Sequence, residues 1–209
     1  MKALLTGFEG FAGKMNPSGV IAKTLDKKRQ GELEISGHEL PEDFRRLPNI
    51  LHRLVEREKP DIIIGTGWDY VSQIKVEKIS LNVQNSVFGD KVVPDNYNHK
   101  PKGNPVIDKG ALALRATFPA EKIVESLKKK KIPATISYNA GTHCCNTVMY
   151  SAIFYSQATK RSRAIAGFIH IPPIAEMKMN NPNIVPMTLE EETRALEGAI
   201  ETCRKYLGE

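Results

Sequence analysis

Apolar residues fall into short blocks whose period changes along the chain, and each change marks an element. Residues 3–6 (ALLT) are a small apolar run followed at once by glycine, which predicts a strand. Asn16 and Pro17 then supply an N-cap and a first helical position, with Val20, Ile21, Thr24 and Leu25 forming the face of a short helix. Residues 33–40 alternate well enough for a peripheral strand. Residues 48–59 place Ile50, Leu51, Leu54 and Val55 on one helical side, and Pro60 stops the run. The segment 62–67 lacks polar alternation at its III core, as expected of a strand covered on both faces by helices.

The run 74–83 (IKVEKISLNV) reads as one strand. Ile74, Val76, Lys78, Ser80 and Asn82 share one face, and Lys75, Glu77, Ile79, Leu81 and Val83 share the other. Residues 84–105 are dense in Asn, Gly and Pro, with a β-like Val92-Val93 inside. That is long for a structureless connection and points to a flap or a protruding hairpin. A strand is expected over 111–116, a helix from Phe118-Pro119 through residue 130, and a strand over 132–137. A helix begins near Cys144 and ends within 158–163, and AIAGFIHI at 164–171 is an apolar strand stopped by Pro172-Pro173. Thr188 and Glu191 form a capping box for a last helix, whose buried stripe is Leu189, Leu196, Ile200, Cys203 and Leu207. The alternation of strands and helices predicts a three-layer α/β/α sandwich around a mostly parallel, twisted sheet.

Totals narrow the picture. The 209 residues suit one domain, 1–209, with a sizeable core. A net charge of +6 raises nucleic acid as a partner. The main basic run, 128–131, closes a predicted helix where cations favour the dipole, and aromatics do not interleave with basic residues, so no nucleic-acid partner is expected. No apolar run is long enough to span a membrane, and the amino terminus is too short in its apolar part for a signal peptide. Three cysteines show neither a disulfide framework nor metal spacing, so a reducing, cytoplasmic setting with no metal or other cofactor is expected. GFEGFAG at 7–13 lacks the dinucleotide fingerprint and reads as a loop with an aromatic pair, Phe8 and Phe11.

The chemistry gathers in the run 134–155. A strand, a polar turn and an apolar helix follow one another, and Cys144 and Cys145 stand where the turn becomes the helix. Unpaired amides and a positive dipole end at such a junction lower a thiol pKa. Glu77 is the acid on a mostly apolar strand face and needs a partner if buried; beside Lys75 and Lys78 it also suits a solvent edge. His170 ends an apolar strand, the end where α/β folds place ligands, though a lone histidine there also serves as a satisfied buried residue. Together a thiol, an imidazole and an acid make a Cys–His–acid triad for attack on an amide or ester carbonyl, with Gly141 and the turn amides as an oxyanion site. The pattern alone does not choose between Cys144 and Cys145.

The chain also resembles the pyrrolidone-carboxylate peptidases, or pyroglutamyl peptidases of type I, over nearly its whole length. TGFEGFAG at 6–13 is similar to that family's TGFEPFGG, with Asn16-Pro17 following. KVEKISLN at 75–82 is similar to its glutamate segment, SYNAGTHCCN at 137–146 to S-x-x-AG-x-x-x-CN, and GFIHIP at 167–172 to its histidine segment; VPDN at 93–96 is also similar. The resemblance implies a cytoplasmic cysteine peptidase that removes an amino-terminal pyroglutamate and assembles as a homodimer or homotetramer. It implies Cys145 as nucleophile, His170 and Glu77 as its catalytic partners, and Phe8 and Phe11 as pocket aromatics. The chain departs from the family at His143, where an aromatic is usual and which is expected to contact substrate. It departs again at Val92-Val93, where Arg-Ile is usual, with Lys91 one step earlier. Such changes around a retained triad leave room for thiol hydrolysis of another small acyl amide, or for a non-catalytic binding protein.

Overall fold

The computed structural model describes residues 1–158, 164–177 and 181–208. In chain order the elements are β1 (Lys2–Phe8), α1 (Pro17–Leu25), β2 (Arg29–Gln30), β3 (Leu33–Leu40), α2 (Leu47–Glu58), β4 (Ile62–Trp68), β5 (Ile74–Glu77) and β6 (Ile79–Leu81). They continue with β7 (Gln84–Asn85), β8 (Val87–Phe88), β9 (Lys91–Val92), β10 (Lys102–Asn104), β11 (Ala113–Arg115) and α3 (Ala120–Lys129). The chain closes with β12 (Ala134–Ser137), α4 (Cys144–Ala158), β13 (Ile165–Ile171) and α5 (Leu189–Gly208). The expected end of α4 beyond Ala158 lies outside the described residues.

Seven strands form the central sheet in the order β12-β5-β13-β4-β1-β3-β2. The β1–β3, β1–β4, β4–β13 and β5–β12 pairs are parallel. The β5–β13 pair and the two-residue edge pair β2–β3 run antiparallel. Helices α2 and α4 pack together on one face, and α3 packs with α5 and α1 with α5 on the other, giving the expected three layers. The apolar III of β4 lies at the centre and is buried on both sides. Gly7 lets β1 meet α1: a Cβ there would sit 2.0 Å from the Ser18 carbonyl oxygen, and one at Gly19 would sit 2.2 Å from that of Phe8. Asn16 caps α1 by accepting from the Ser18 amide, and Pro17 follows it as the sequence predicts.

Two expectations change, and a third is met. The run 74–83 is two strands: after Glu77 the Lys78 amide still donates to Ser137 of β12, but the Lys78 carbonyl accepts from Ala116, and β6 pairs with β11 outside the main sheet. Lys78 is itself buried and its ammonium is paired with Glu121, which anchors the switch of partner. The segment 84–105 carries the expected hairpin, formed by β8 and β9, and β10 also pairs with β7. Leu207 leaves the terminal stripe and is exposed, so the buried face of α5 runs to Cys203.

Candidate active site

The site follows from how three strands present their faces. His170 is the penultimate residue of β13 and sits opposite Gly67 of β4 on one side and Lys75 of β5 on the other. Phe168, two residues earlier, sits opposite Glu77. Residues opposite one another on paired strands point to the same face, so Glu77 and His170 emerge together. His170 Nδ1 and Glu77 Oε1 are 2.9 Å apart, with Glu77 0% exposed and His170 4%. A buried carboxylate bonded to Nδ1 keeps the proton on that nitrogen and turns the Nε2 lone pair outward. Phe168 packs edge-on against the imidazole, with ring centroids 4.9 Å apart.

The third group arrives from α4. Strand β12 ends at Ser137, and the chain turns through Gly141, which takes φ +74°, before α4 opens at Cys144. Cys145 Sγ lies over Gly67, 2.9 Å from where a Cβ on that glycine would stand. Since Gly67 and His170 share a register position, thiol and imidazole converge on one face of the sheet. Both line a cleft of about 560 Å³, together with Phe11, Glu42, Trp68 and His143.

The two cysteines have different surroundings. Cys145 is half-buried and lines the cleft, whereas Cys144 is fully buried in the core beside Glu42. Burial pushes the Cys145 thiol well up, and the carboxylates of Glu42, Asp69 and Glu77 add to this. The helix start therefore does not produce a low-pKa thiolate here, contrary to the sequence expectation: desolvation outweighs the dipole. At neutral pH the Cys145 sulfur is therefore held as a thiol.

Gly141 serves the turn differently from the expectation. Its amide donates to Asn139 Oδ1 at 2.9 Å, so it is not free to hold an oxyanion. The amides that open α4, at Cys144 and Cys145, have no acceptor within the helix.

The expected aromatic pair divides. Phe11 lines the cleft, but Phe8 is 1% exposed within the core, where it packs beside Gly67 on the face that carries the Cys145 sulfur without lining the cleft. His143 lies among Phe11, Phe44 and Phe88, with ring centroids 5.7, 4.5 and 6.0 Å away. Its Nε2 is 3.2 Å from the Val93 carbonyl, which ties it to the chain just past the β8–β9 hairpin. Burial lowers its pKa, so the ring is neutral and Nε2–H donates to Val93. Lys91 is exposed on β9 and does not line the cleft; Lys14 and Lys75 do, the latter 3.3 Å from Asp69.

Two contributors escape a sequence reading. Asn146 is fully buried, accepts from the Leu81 amide at 2.9 Å, and donates to the Leu81 and Val83 carbonyls at 2.9 and 2.8 Å. It locks the first turn of α4 to β6, the strand that continues from Glu77. Its place directly after Cys145 is the one signal the chain offers for it. Glu42 enters the cleft from the loop after β3, and burial raises its pKa to about 7. Nothing near it in sequence marks that position.

Known proteins resemble this chain in sequence and in fold. The family model described as pyroglutamyl peptidase matches residues 1–206. The pyrrolidone-carboxylate peptidase of Pyrococcus furiosus is 38% identical over 99% of this chain and 100% of its own length. That of Thermococcus litoralis is 37% identical over 99% of this chain and 94% of its own. The solved pyrrolidone carboxyl peptidase structure from Thermococcus litoralis superposes with a TM-score of 0.91 at 36% identity, covering 99% of this chain and 94% of the other. With a match across nearly every residue and the same fold, this chain belongs to the pyroglutamyl peptidase family of enzymes.

Proposed function

We propose that this chain is a cysteine peptidase that removes an amino-terminal pyroglutamyl residue, with its machinery in one hydrolase domain. The observation that carries the reading is the buried 2.9 Å Glu77–His170 pair opening on the cleft that Cys145 lines. His170 Nε2 takes the thiol proton as Sγ attacks the carbonyl carbon joining pyroglutamate to the next residue. The oxygen gains negative charge against the first amides of α4. The C–N bond then breaks, and His170 returns the proton to the departing amine, leaving a thioester on Cys145. Water, deprotonated by His170, attacks that thioester; the C–S bond breaks, pyroglutamate leaves, and the thiol is restored. Glu77 holds the imidazole in one tautomer and stabilises it while it is charged.

Phe11 and Trp68 give the cleft apolar surface suited to the faces of a small lactam ring. Peptides are the substrates under this reading. The free cysteines suit a reducing cytoplasm, and a homodimer or homotetramer is part of the proposal, tested by light scattering. The deciding assay is release of a chromophore from a pyroglutamyl amide under reducing conditions, with turnover abolished in Cys145→Ala. Folded, reduced protein that turns over none of it overturns the reading.

One observation favours a second reading. Glu42 and His143 bring a carboxylate and an imidazole to the cleft, which suits a more polar small acyl amide. Fast, selective alkylation of Cys145 by iodoacetamide combined with inert pyroglutamyl amides is the result that would prefer it.

A further inference from the structure

Glu42, His143 and Cys144 come from segments about a hundred residues apart, yet their donor atoms lie within 4.8 Å of one another. None of the three has a role in the thiol chemistry just described that uses these atoms. Among the described residues Glu42 Oε2 is buried with no well-formed hydrogen bond, in a residue only 6% exposed, and the donor the carboxylate meets is the weak one of the Cys144 thiol. An unpartnered buried carboxylate oxygen is costly and calls for a donor or a cation. His143 Nδ1 faces that oxygen at 3.9 Å, while Nε2 is engaged by the Val93 carbonyl. A histidine that gives its other N–H to a backbone carbonyl has the outer-shell arrangement of metal-bound imidazoles, with the remaining lone pair fixed toward the ion. Cys144 completes the set with a sulfur that is fully buried and separate from the nucleophile.

We propose that Glu42 Oε2, His143 Nδ1 and Cys144 Sγ form a binding site for a thiophilic divalent cation, of which zinc is the best fit, beside Cys145. Sulfur, nitrogen and one carboxylate oxygen suit zinc and exclude the hard cations calcium and magnesium. Tetrahedral zinc with bonds of about 2.0–2.3 Å holds its ligand atoms about 3.3–3.6 Å apart, so side-chain shifts of around an ångström close the site. Binding releases the Cys144 thiol proton to solvent, and thiolate plus carboxylate then neutralise the two charges of the ion. Three protein ligands leave a fourth position for water or for the Cys145 sulfur. Glu42 and His143 line the cleft, so the ion enters through it and, once bound, obstructs it. Binding stands on these three residues alone; obstruction of turnover rests on the peptidase reading above.

The test uses Cys145→Ala protein, so that the nucleophile cannot supply the sulfur. Co2+ is titrated as the spectroscopic probe, and Zn2+ in competition with a chromophoric chelator. One ion per chain and a thiolate-to-cobalt charge-transfer band are expected. A second change of Cys144→Ala removes the band, and Glu42→Gln or His143→Phe weakens Zn2+ binding by about 100-fold or more, with folding checked by circular dichroism. Should Cys144→Ala fail to fold, the other two variants decide. Absence of the band in Cys145→Ala, or its survival in the double variant, overturns the proposal. In protein with Cys145 intact, reversible Zn2+ inhibition that disappears in Cys144→Ala is the expected functional counterpart. A protein that binds the ion and turns over nothing contradicts the peptidase reading and leaves the metal site standing.

Discussion

Gly67 of β4 lies directly beneath the sulfur of Cys145: a Cβ there would stand 2.9 Å from Sγ, 3.2 Å from Phe168 Cζ and 3.3 Å from Phe8 Cδ2. Sγ is the easiest of these atoms to move, because a cysteine rotates about one bond, whereas the two rings are held in the core. Gly67→Ala is therefore expected to swing the thiol away from His170. Turnover of a pyroglutamyl amide should fall by about tenfold or more, since misplacement of about 1 Å is already costly. The melting temperature should change little. A large loss of stability with undiminished kcat in the folded fraction would contradict this placement.

Glu77 fixes the His170 tautomer from a fully buried position. Glu77→Gln keeps the shape but offers an amide where a carboxylate was, so the imidazole loses both its orientation and the partner for its charge. A fall in kcat of roughly 10²–10⁴-fold is expected, with KM nearly unchanged. Steady-state kinetics on both variants check it.

Burial and three nearby carboxylates push the Cys145 thiol up, and burial pushes Cys203 up to about 12. Thiolate at Cys145 in the free enzyme therefore accumulates only as the pH rises past the ordinary thiol range. The rate of iodoacetamide labelling at Cys145 should still be climbing at pH 9 instead of reaching a plateau near neutrality. Mass spectrometry of the labelled peptides should also show Cys144 and Cys203, both buried, lagging behind Cys145 at each pH.

Glu192 on α5 is fully buried with neither carboxylate oxygen hydrogen-bonded among the described residues, and burial followed by Glu191 and Glu176 raises its pKa to about 9. Unfolded, its value is near 4.5. Between those values the folded chain holds the extra proton, so stability is full below about pH 4.5 and falls as pH climbs toward 9, by at most about 1.4 kcal/mol per pH unit from this group. Glu42, raised to about 7, contributes in the same direction only in the lower part of that range. Urea melts at pH 7 and 9 on both proteins check it: Glu192→Gln should show a flatter decline between them than the parent chain.

Asn146 makes three hydrogen bonds from a fully buried position to Leu81 and Val83. Asn146→Ala leaves those backbone groups unpaired and is expected to cost at least about 2 kcal/mol. By loosening α4 against β6 it should also lower kcat. Chemical denaturation alongside kinetics separates the two effects. Asn146→Val with wild-type stability would show that the clamp is dispensable.

Much of this protein was written in local pattern. The apolar core of β4, the Asn16-Pro17 start of α1 and the Thr188–Glu191 capping box are set by nearby residues, and the structure shows each where the sequence puts it. Glu77 stood out on an apolar face and His170 at a strand end because period-two alternation needs no knowledge of the partner strand. What local pattern lacks is the identity of the neighbour. Only the whole sheet decides that β5 lies antiparallel beside β13, which brings Glu77 to His170, and that the run after it leaves at Lys78 to join β11. Tertiary packing likewise buried Phe8 away from the cleft and tied up the Gly141 amide. It drew Glu42 to His143 and Cys144 and turned the thiol shift upward at a helix start that by itself predicts a shift downward. Desolvation and proximity depend on every segment that closes over a residue. The sequence by itself therefore determined which residues stand out as candidates, and the tertiary structure decided which of them meet and in what surroundings.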